Sequence, residues 1–221
     1  LIYARPDQTE ADWRQELGEA LTLGTDHLSL YQLTIEPTTR FATDVRRGVF
    51  TPLDNDPAAD LFAMTREMTA AAGLPAYEIS YHARPGQESR HNLTYWRYEE
   101  YLGIGQGAPG RREGVATLRH KKPENYLGAV ERQGSGISES RTLTPHEQAS
   151  EALLMGLRLA EGIDMTSLSR RFDVTSTTML DDAKLRVLCF LGSECPLARL
   201  YGPRLSAMAA EFAAHDVAFV G

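Results

Sequence analysis

Leu28-Ser29-Leu30-Tyr31-Gln32-Leu33-Thr34-Ile35-Glu36-Pro37 is the stretch that decides the fold class. It is almost continuously apolar or β-prone, and Pro37 stops it, so the pattern predicts a strand over 27–35 with both faces buried. Upstream, Leu1 to Ala4 is apolar and β-prone, and Pro6 and Asp7 break it. Thr9 with Asp12 three residues on reads as a helix cap. Trp13, Leu17, Ala20 and Leu21 then fall at helical spacing through Leu23, and Gly24 closes the helix. Downstream comes a loop rich in Thr, Arg and Gly, then a helix over about 57–72 closed by Gly73, then a short strand over 76–80. Strand–helix–strand–helix–strand, with connections long enough for parallel pairing, predicts an α/β fold, either a barrel or a doubly wound sheet.

The polar residues inside those strands stand out. Gln32, Thr34 and Glu36 share one parity, as do Glu78 and Ser80. Alternate strand residues point to one side, and in α/β barrels the working face lies at the carboxyl ends of the strands. Such groups suit a ligand; the plainer reading is that they satisfy loop backbone.

The remainder reads as loop over 81–119, a helix over 121–133 opened by Pro123, and a flexible joint at Gly134-Ser135-Gly136. That joint is the expected boundary between a domain of 1–134 and a small helical domain of 135–221. In the latter, Thr144-Pro145-His146-Glu147 opens a helix to about Ala160, and Asp164 opens another through Phe172. Its helix–turn–helix look does not make it a DNA reader, because the net charge of −7 and the pI near 5.4 supply no basic face. No apolar run approaches the roughly 20 residues of a membrane span. Cys189 and Cys195, with five residues between them, match no common zinc or iron–sulfur spacing. Few cysteines and no export signal imply a reducing cytoplasm.

Chemistry concentrates in His91-Asn92-Leu93-Thr94-Tyr95-Trp96, followed by Tyr98 and Tyr101. Histidine is a common iron ligand, and large flat rings suit a large flat apolar partner. The bland alternative is a hydrogen-bonded histidine at a core margin. Gly105-Gln106-Gly107-Ala108-Pro109-Gly110 matches the dinucleotide fingerprint letter by letter, but Pro109 and Gly114 disfavour the helix that the fingerprint needs. These glycines read as close backbone approach, near a cofactor or in a tight turn.

With these stretches in hand, the chain resembles the oxygen-independent coproporphyrinogen III oxidase-like radical-SAM family, especially its heme-chaperone branch. The resemblance rests on Leu1-Ile2-Tyr3 with Pro6 and Gln8-Thr9, on 28–37, on 77–80 with 83–86, on 89–96, on 103–108 and on 155–164. It implies a portion of a partial (β/α) TIM-like barrel followed by a winged-helix-like domain. It implies heme, a [4Fe-4S] cluster and S-adenosyl-L-methionine as ligands of the complete protein, and an acceptor protein of unknown identity. On this resemblance His91 is the axial ligand of heme iron. Asn92 fixes the local turn or the imidazole, Tyr95 and Trp96 pack the porphyrin, and Gln32 and Thr34 face the S-adenosyl-L-methionine side.

The departures matter as much. The family's C-x-x-x-C-x-x-C loop lies upstream of Leu1, so the chain reads as a C-terminal portion that does no radical chemistry by itself. The family's Gly-Leu-Pro-Gly turn is here Ala4-Arg5-Pro6-Asp7, which strains any positive-φ position in it. Its Gly-Ala-His-Gly is here Gly107-Ala108-Pro109-Gly110, and from about Val187 to Leu205 no family pattern remains. The expected function is that of a heme chaperone that passes heme to an acceptor. The alternatives are a coproporphyrinogen III oxidase or a degenerate remnant.

Overall fold

The computed structural model describes residues 1–174, 185–188, 206–212 and 217–220. The chain forms two compact units that interleave in sequence: Leu1–Glu100 with Met155–Gly162, and Tyr101–Leu154 with Ile163–Gly221. The class is α/β. No helix among the described residues is long and apolar enough to cross a membrane.

The first unit opens with β1 (Ile2–Tyr3) and α1 (Glu10–Leu21). The expected capping box is present: Thr9 Oγ1 accepts the Asp12 N–H, and Asp12 Oδ2 accepts the Thr9 N–H. Trp13 and Leu17 are fully buried on the inner face of α1. There they meet α3 (Asn55–Ala71) through Leu61 and Met64. Tyr3 stacks on Trp13 at 5.3 Å, and the Trp13 indole N–H donates to Thr65 Oγ1 at 2.8 Å, so the ring is buried with its polar atom satisfied.

The long strand over 27–35 is two short pieces, β2 (His27–Ser29) and β3 (Tyr31–Gln32), broken at Leu30. β3 pairs parallel with β1, as the pattern predicts. β2 pairs antiparallel with β4 (Tyr81–Ala83), which corrects the expectation of parallel pairing throughout. The expected strand over 76–80 is not formed; only isolated bridges at Ala76 and Glu78 occur there. The Glu78 carboxylate turns back onto the Ser80 N–H, and that local bond competes with a ladder. The loop after Pro37 contains α2 (Arg40–Arg46), capped by Thr39. Before α1, the Arg5 guanidinium donates to the Ile2 carbonyl at 2.7 Å and pairs with Glu16, which holds the Glu16 carboxyl below its usual range.

α4 (Arg90–Trp96) ends this stretch of the unit, and it carries the sequence HNLTYW. The expected loop over 81–119 therefore holds β4 and α4. It also holds a hairpin of the second unit, β5 (Pro109–Arg112) and β6 (Val115–Arg119). After α5 (Pro123–Gln133), closed by left-handed Gly134, β7 (Ile137–Thr142) joins β6 antiparallel. α6 (Pro145–Gly156) starts with Thr144 and Glu147 bonded reciprocally, as predicted, but stops at Gly156 and not near Ala160. α7 (Met165–Phe172), capped by Asp164, follows. β8 (Leu185–Leu188) pairs parallel with β9 (Val217–Val220).

Candidate functional site

Two turns of helix carry HNLTYW. Ser89 Oγ caps α4 by accepting the Asn92 N–H at 3.3 Å. Residues four apart are neighbours on a helix surface, so the motif divides into two pairs. His91 and Tyr95 meet edge to face, ring centroids 4.9 Å apart at 80°, and His91 is exposed. Asn92 and Trp96 lie one step around the helix.

The second pair is tied down. The Tyr77 hydroxyl accepts the Ser89 N–H at 3.3 Å, lies 2.8 Å from His27 Nε2, and is reached by the Asn92 side chain. Asn92 therefore anchors α4 to the 77 region. The Trp96 ring has the Arg158 guanidinium 4.6 Å from its centroid. Its indole N–H is buried and reaches no acceptor among the described residues.

Arg158 also pairs with Glu78, whose side chain is wholly buried. Arg158 Nε donates to Glu78 Oε1 at 2.6 Å, the Nη2 of Arg158 contacts the same oxygen, and Glu78 Oε2 accepts the Ser80 N–H at 2.8 Å. Around this pair the backbone closes: the Ala160 N–H donates to the Tyr77 carbonyl at 2.9 Å, and Leu159 bridges Glu78. On the outside, Arg97 holds Glu161 through two bonds of 2.9 and 3.0 Å, which lowers the Glu161 carboxyl and raises Arg97. The polar parity of Glu78 and Ser80 is thus a structural bond.

Beside Tyr77 sits a group that the sequence did not reveal. His27 lies 5.6 Å from Tyr77 and 5.8 Å from Tyr81, ring to ring, and the Tyr31 and Tyr81 hydroxyls are 3.2 Å apart. Burial pushes His27 down, and the bond to Tyr31, then burial, pushes Tyr81 up to about 12. The parity of 27, 29 and 31 could have put His27 and Tyr31 on one sheet face; the pairing of Ser29 with Tyr81 could not be read. Gln32 and Thr34 are exposed, and Thr34 Oγ1 contacts the Gln32 carbonyl at 3.5 Å.

The glycine run belongs to the second unit. A Cβ on Gly103 would stand 1.9 Å from the Pro109 carbonyl oxygen, and one on Gly110 would stand 2.8 Å from Thr117 Oγ1. These glycines permit backbone to touch backbone. Pro109–Arg112 is a strand, so no helix N-terminus faces a phosphate here.

The donor chemistry decides which groups fit. An exposed imidazole with an aromatic ring at its edge suits heme iron and a porphyrin face. The chain's two cysteines cannot provide the three thiolates that hold a [4Fe-4S] cluster, and both lie outside the described residues. Among the described residues no group of three His, Cys, Asp or Glu could hold a metal ion.

Comparison with known proteins sets this site in context. Residues 143–188 match the family described as the HemN C-terminal domain. The heme chaperone HemW of Synechocystis is 37% identical, over 76% of this chain and 41% of its own length. The HemW of Bacillus subtilis is 30% identical, over 78% and 45%. The mouse mitochondrial radical S-adenosyl methionine domain-containing protein 1 is 37% identical, over 74% and 39%. The chain thus spans about two fifths of the length of the curated relatives it matches. Among solved structures, coproporphyrinogen III oxidase of Escherichia coli, described as a radical SAM enzyme, aligns with TM-score 0.61 at 19% identity, over 79% of this chain and 43% of that one.

Proposed function

From the premise that this chain belongs to the oxygen-independent coproporphyrinogen III oxidase-like radical-SAM family, we propose that it is the heme-holding part of a heme chaperone. It binds heme through His91 and hands it to an acceptor protein. The observation that carries this is the division of α4: Asn92 and Trp96 fasten the helix, while His91 stands exposed with the Tyr95 ring at its edge. Heme supplies an iron that takes an imidazole nitrogen as axial ligand. Tyr95 and one side of Trp96 would pack the porphyrin. The same reading assigns residues 1–134 to part of a partial (β/α) barrel with the segment that follows it, and 135–221 to a small helical, winged-helix-like domain. In the complete protein it assigns Gln32 and Thr34 to the S-adenosyl-L-methionine side, and it assigns the protein to the cytoplasm. The oxidase reading is not favoured, since relatives that carry the heme-chaperone name match at 30–37% identity and the oxidase matches at 19%.

The test is a hemin titration of the purified chain and of His91→Ala. The expected outcome is a shifted Soret band for the parent chain and affinity lower by about tenfold or more in the variant, the loss of one good bond. Equal spectra and equal affinity overturn the reading.

A further inference from the structure

We infer that Arg158 is a positioning residue for the heme-binding helix. It lies 62 positions beyond the Trp96 that it holds, and it fixes that indole against the buried Glu78 so that one ring face only is left to a ligand. The inference rests on the heme reading above.

Three observations meet at this residue. The Glu78 carboxylate is wholly buried, and Arg158 is the cation that compensates it. A guanidinium held this way cannot swing out without leaving a buried charge unpaired. The same flat guanidinium lies 4.6 Å from the centroid of Trp96, the last residue of HNLTYW. A cation stacked on an indole is attracted by the ring's face, and a planar guanidinium can hold a carboxylate at its edge while it stacks. The segment around Arg158 is itself registered by the Leu159 bridge to Glu78 and by the Ala160–Tyr77 bond. Trp96 therefore stands where Glu78 puts Arg158. Trp96 is half-buried, its Nε1 edge is buried with no acceptor among the described residues, and Arg158 takes one face, so the inference assigns the opposite face to the ligand. Lysine would keep the charge beside Glu78 and lose the planar stack, so Arg158→Lys separates positioning from charge balance.

The experiment uses the full chain. Hemin is titrated into the parent, Arg158→Lys, Trp96→Phe and the double variant, with near-ultraviolet circular dichroism as a check on folding. A fourth variant, Glu78→Gln with Arg158→Met, removes both charges together and avoids a lone buried carboxylate. The expected result is a weakening of about fivefold for Arg158→Lys, within the range of a stacked cation, with a displaced Soret maximum. That loss should shrink towards none when Trp96 is already Phe. The Gln–Met pair should fold and show the same displaced Soret band. If the parent binds hemin and Arg158→Lys binds it identically, or loses equally with and without Trp96, the positioning role is overturned and the heme reading stands. If the parent itself gives no Soret shift, the heme reading fails and the positioning role goes with it.

Discussion

Two turns, one in each unit, show which demands on a backbone are negotiable. At Ala4-Arg5-Pro6-Asp7, without a glycine, Ala4 and Asp7 adopt left-handed backbone at φ 56° and 59°. At Gly103 to Gly110 the glycines at the close contacts remain, because a methyl would overlap the Pro109 carbonyl. A left-handed residue costs roughly 1–2 kcal/mol, which a packed unit can absorb. Its neighbours here are a stacked Tyr3–Trp13 pair and a doubly bonded Arg5. A contact of 1.9 Å leaves no room for any side chain.

The sharpest way to break the comparison is Gly103→Ala. Pro109 must move, and the expected loss is about 3 kcal/mol or more, at the upper end for overpacking. Both tryptophans, Trp13 and Trp96, lie in the first unit, so their fluorescence reports that unit. Hydrogen exchange should show lost protection over 109–119, with the tryptophan transition little changed. Unchanged protection would mean that the turn is as adaptable as the first one.

Acid probes the first unit in the opposite way. His82 is buried, neither ring nitrogen reaches a partner at bonding geometry among the described residues, and burial lowers it to about 4, with Arg66 and His27 adding smaller pushes and the Ser80 backbone opposing them. The folded state then binds fewer protons than the unfolded state between pH 6.5 and about 4. Stability is complete above pH 6.5 and falls as pH drops through that window, by about 3 kcal/mol in all. The tryptophan signal should follow this fall, and His82→Phe should remove most of it. A parent and a variant with the same acid profile would dismiss His82 as its source.

The smallest effect sharpens the comparison from the permissive side. Asp7→Gly should raise stability by about 0.5–1 kcal/mol, the strain of one left-handed residue less the added chain entropy. Ala4→Gly should gain less, since Ala4 is buried and its methyl is packed. Urea midpoints for both variants, read by tryptophan fluorescence, check the sign; a loss on Asp7→Gly would mean that the aspartate stabilises its own turn.

Local signals were legible in the sequence wherever one turn of chain contained them. The Thr9–Asp12 box, the Asp164 cap and Pro123 at the start of α5 all need partners within three residues. The hairpin 109–119 was not legible because Arg111, Arg112, Glu113 and Gly114 break apolar alternation. The strand expected over 76–80 failed through distance: Glu78 belongs to an arginine 80 residues away. The site followed the same rule. HNLTYW marked the helix, but its division into a fastened pair and a pair led by the exposed His91 depends on Tyr77 and Arg158, which no local spacing reveals.

The interleaving of the two units sets a timetable for synthesis. The chain from Tyr101 to Leu154 emerges and can form its hairpin and helices while the first unit still lacks Met155–Gly162. At roughly 5–20 residues per second, a ribosome needs about 4–16 s to travel from Glu78 to Arg158. For those seconds the glutamate has no guanidinium and Trp96 has no cation on its face. The last strap of the first unit is thus delivered after most of the sheet of the second has been made, and until it arrives the Glu78 carboxylate that the folded chain buries must stay hydrated.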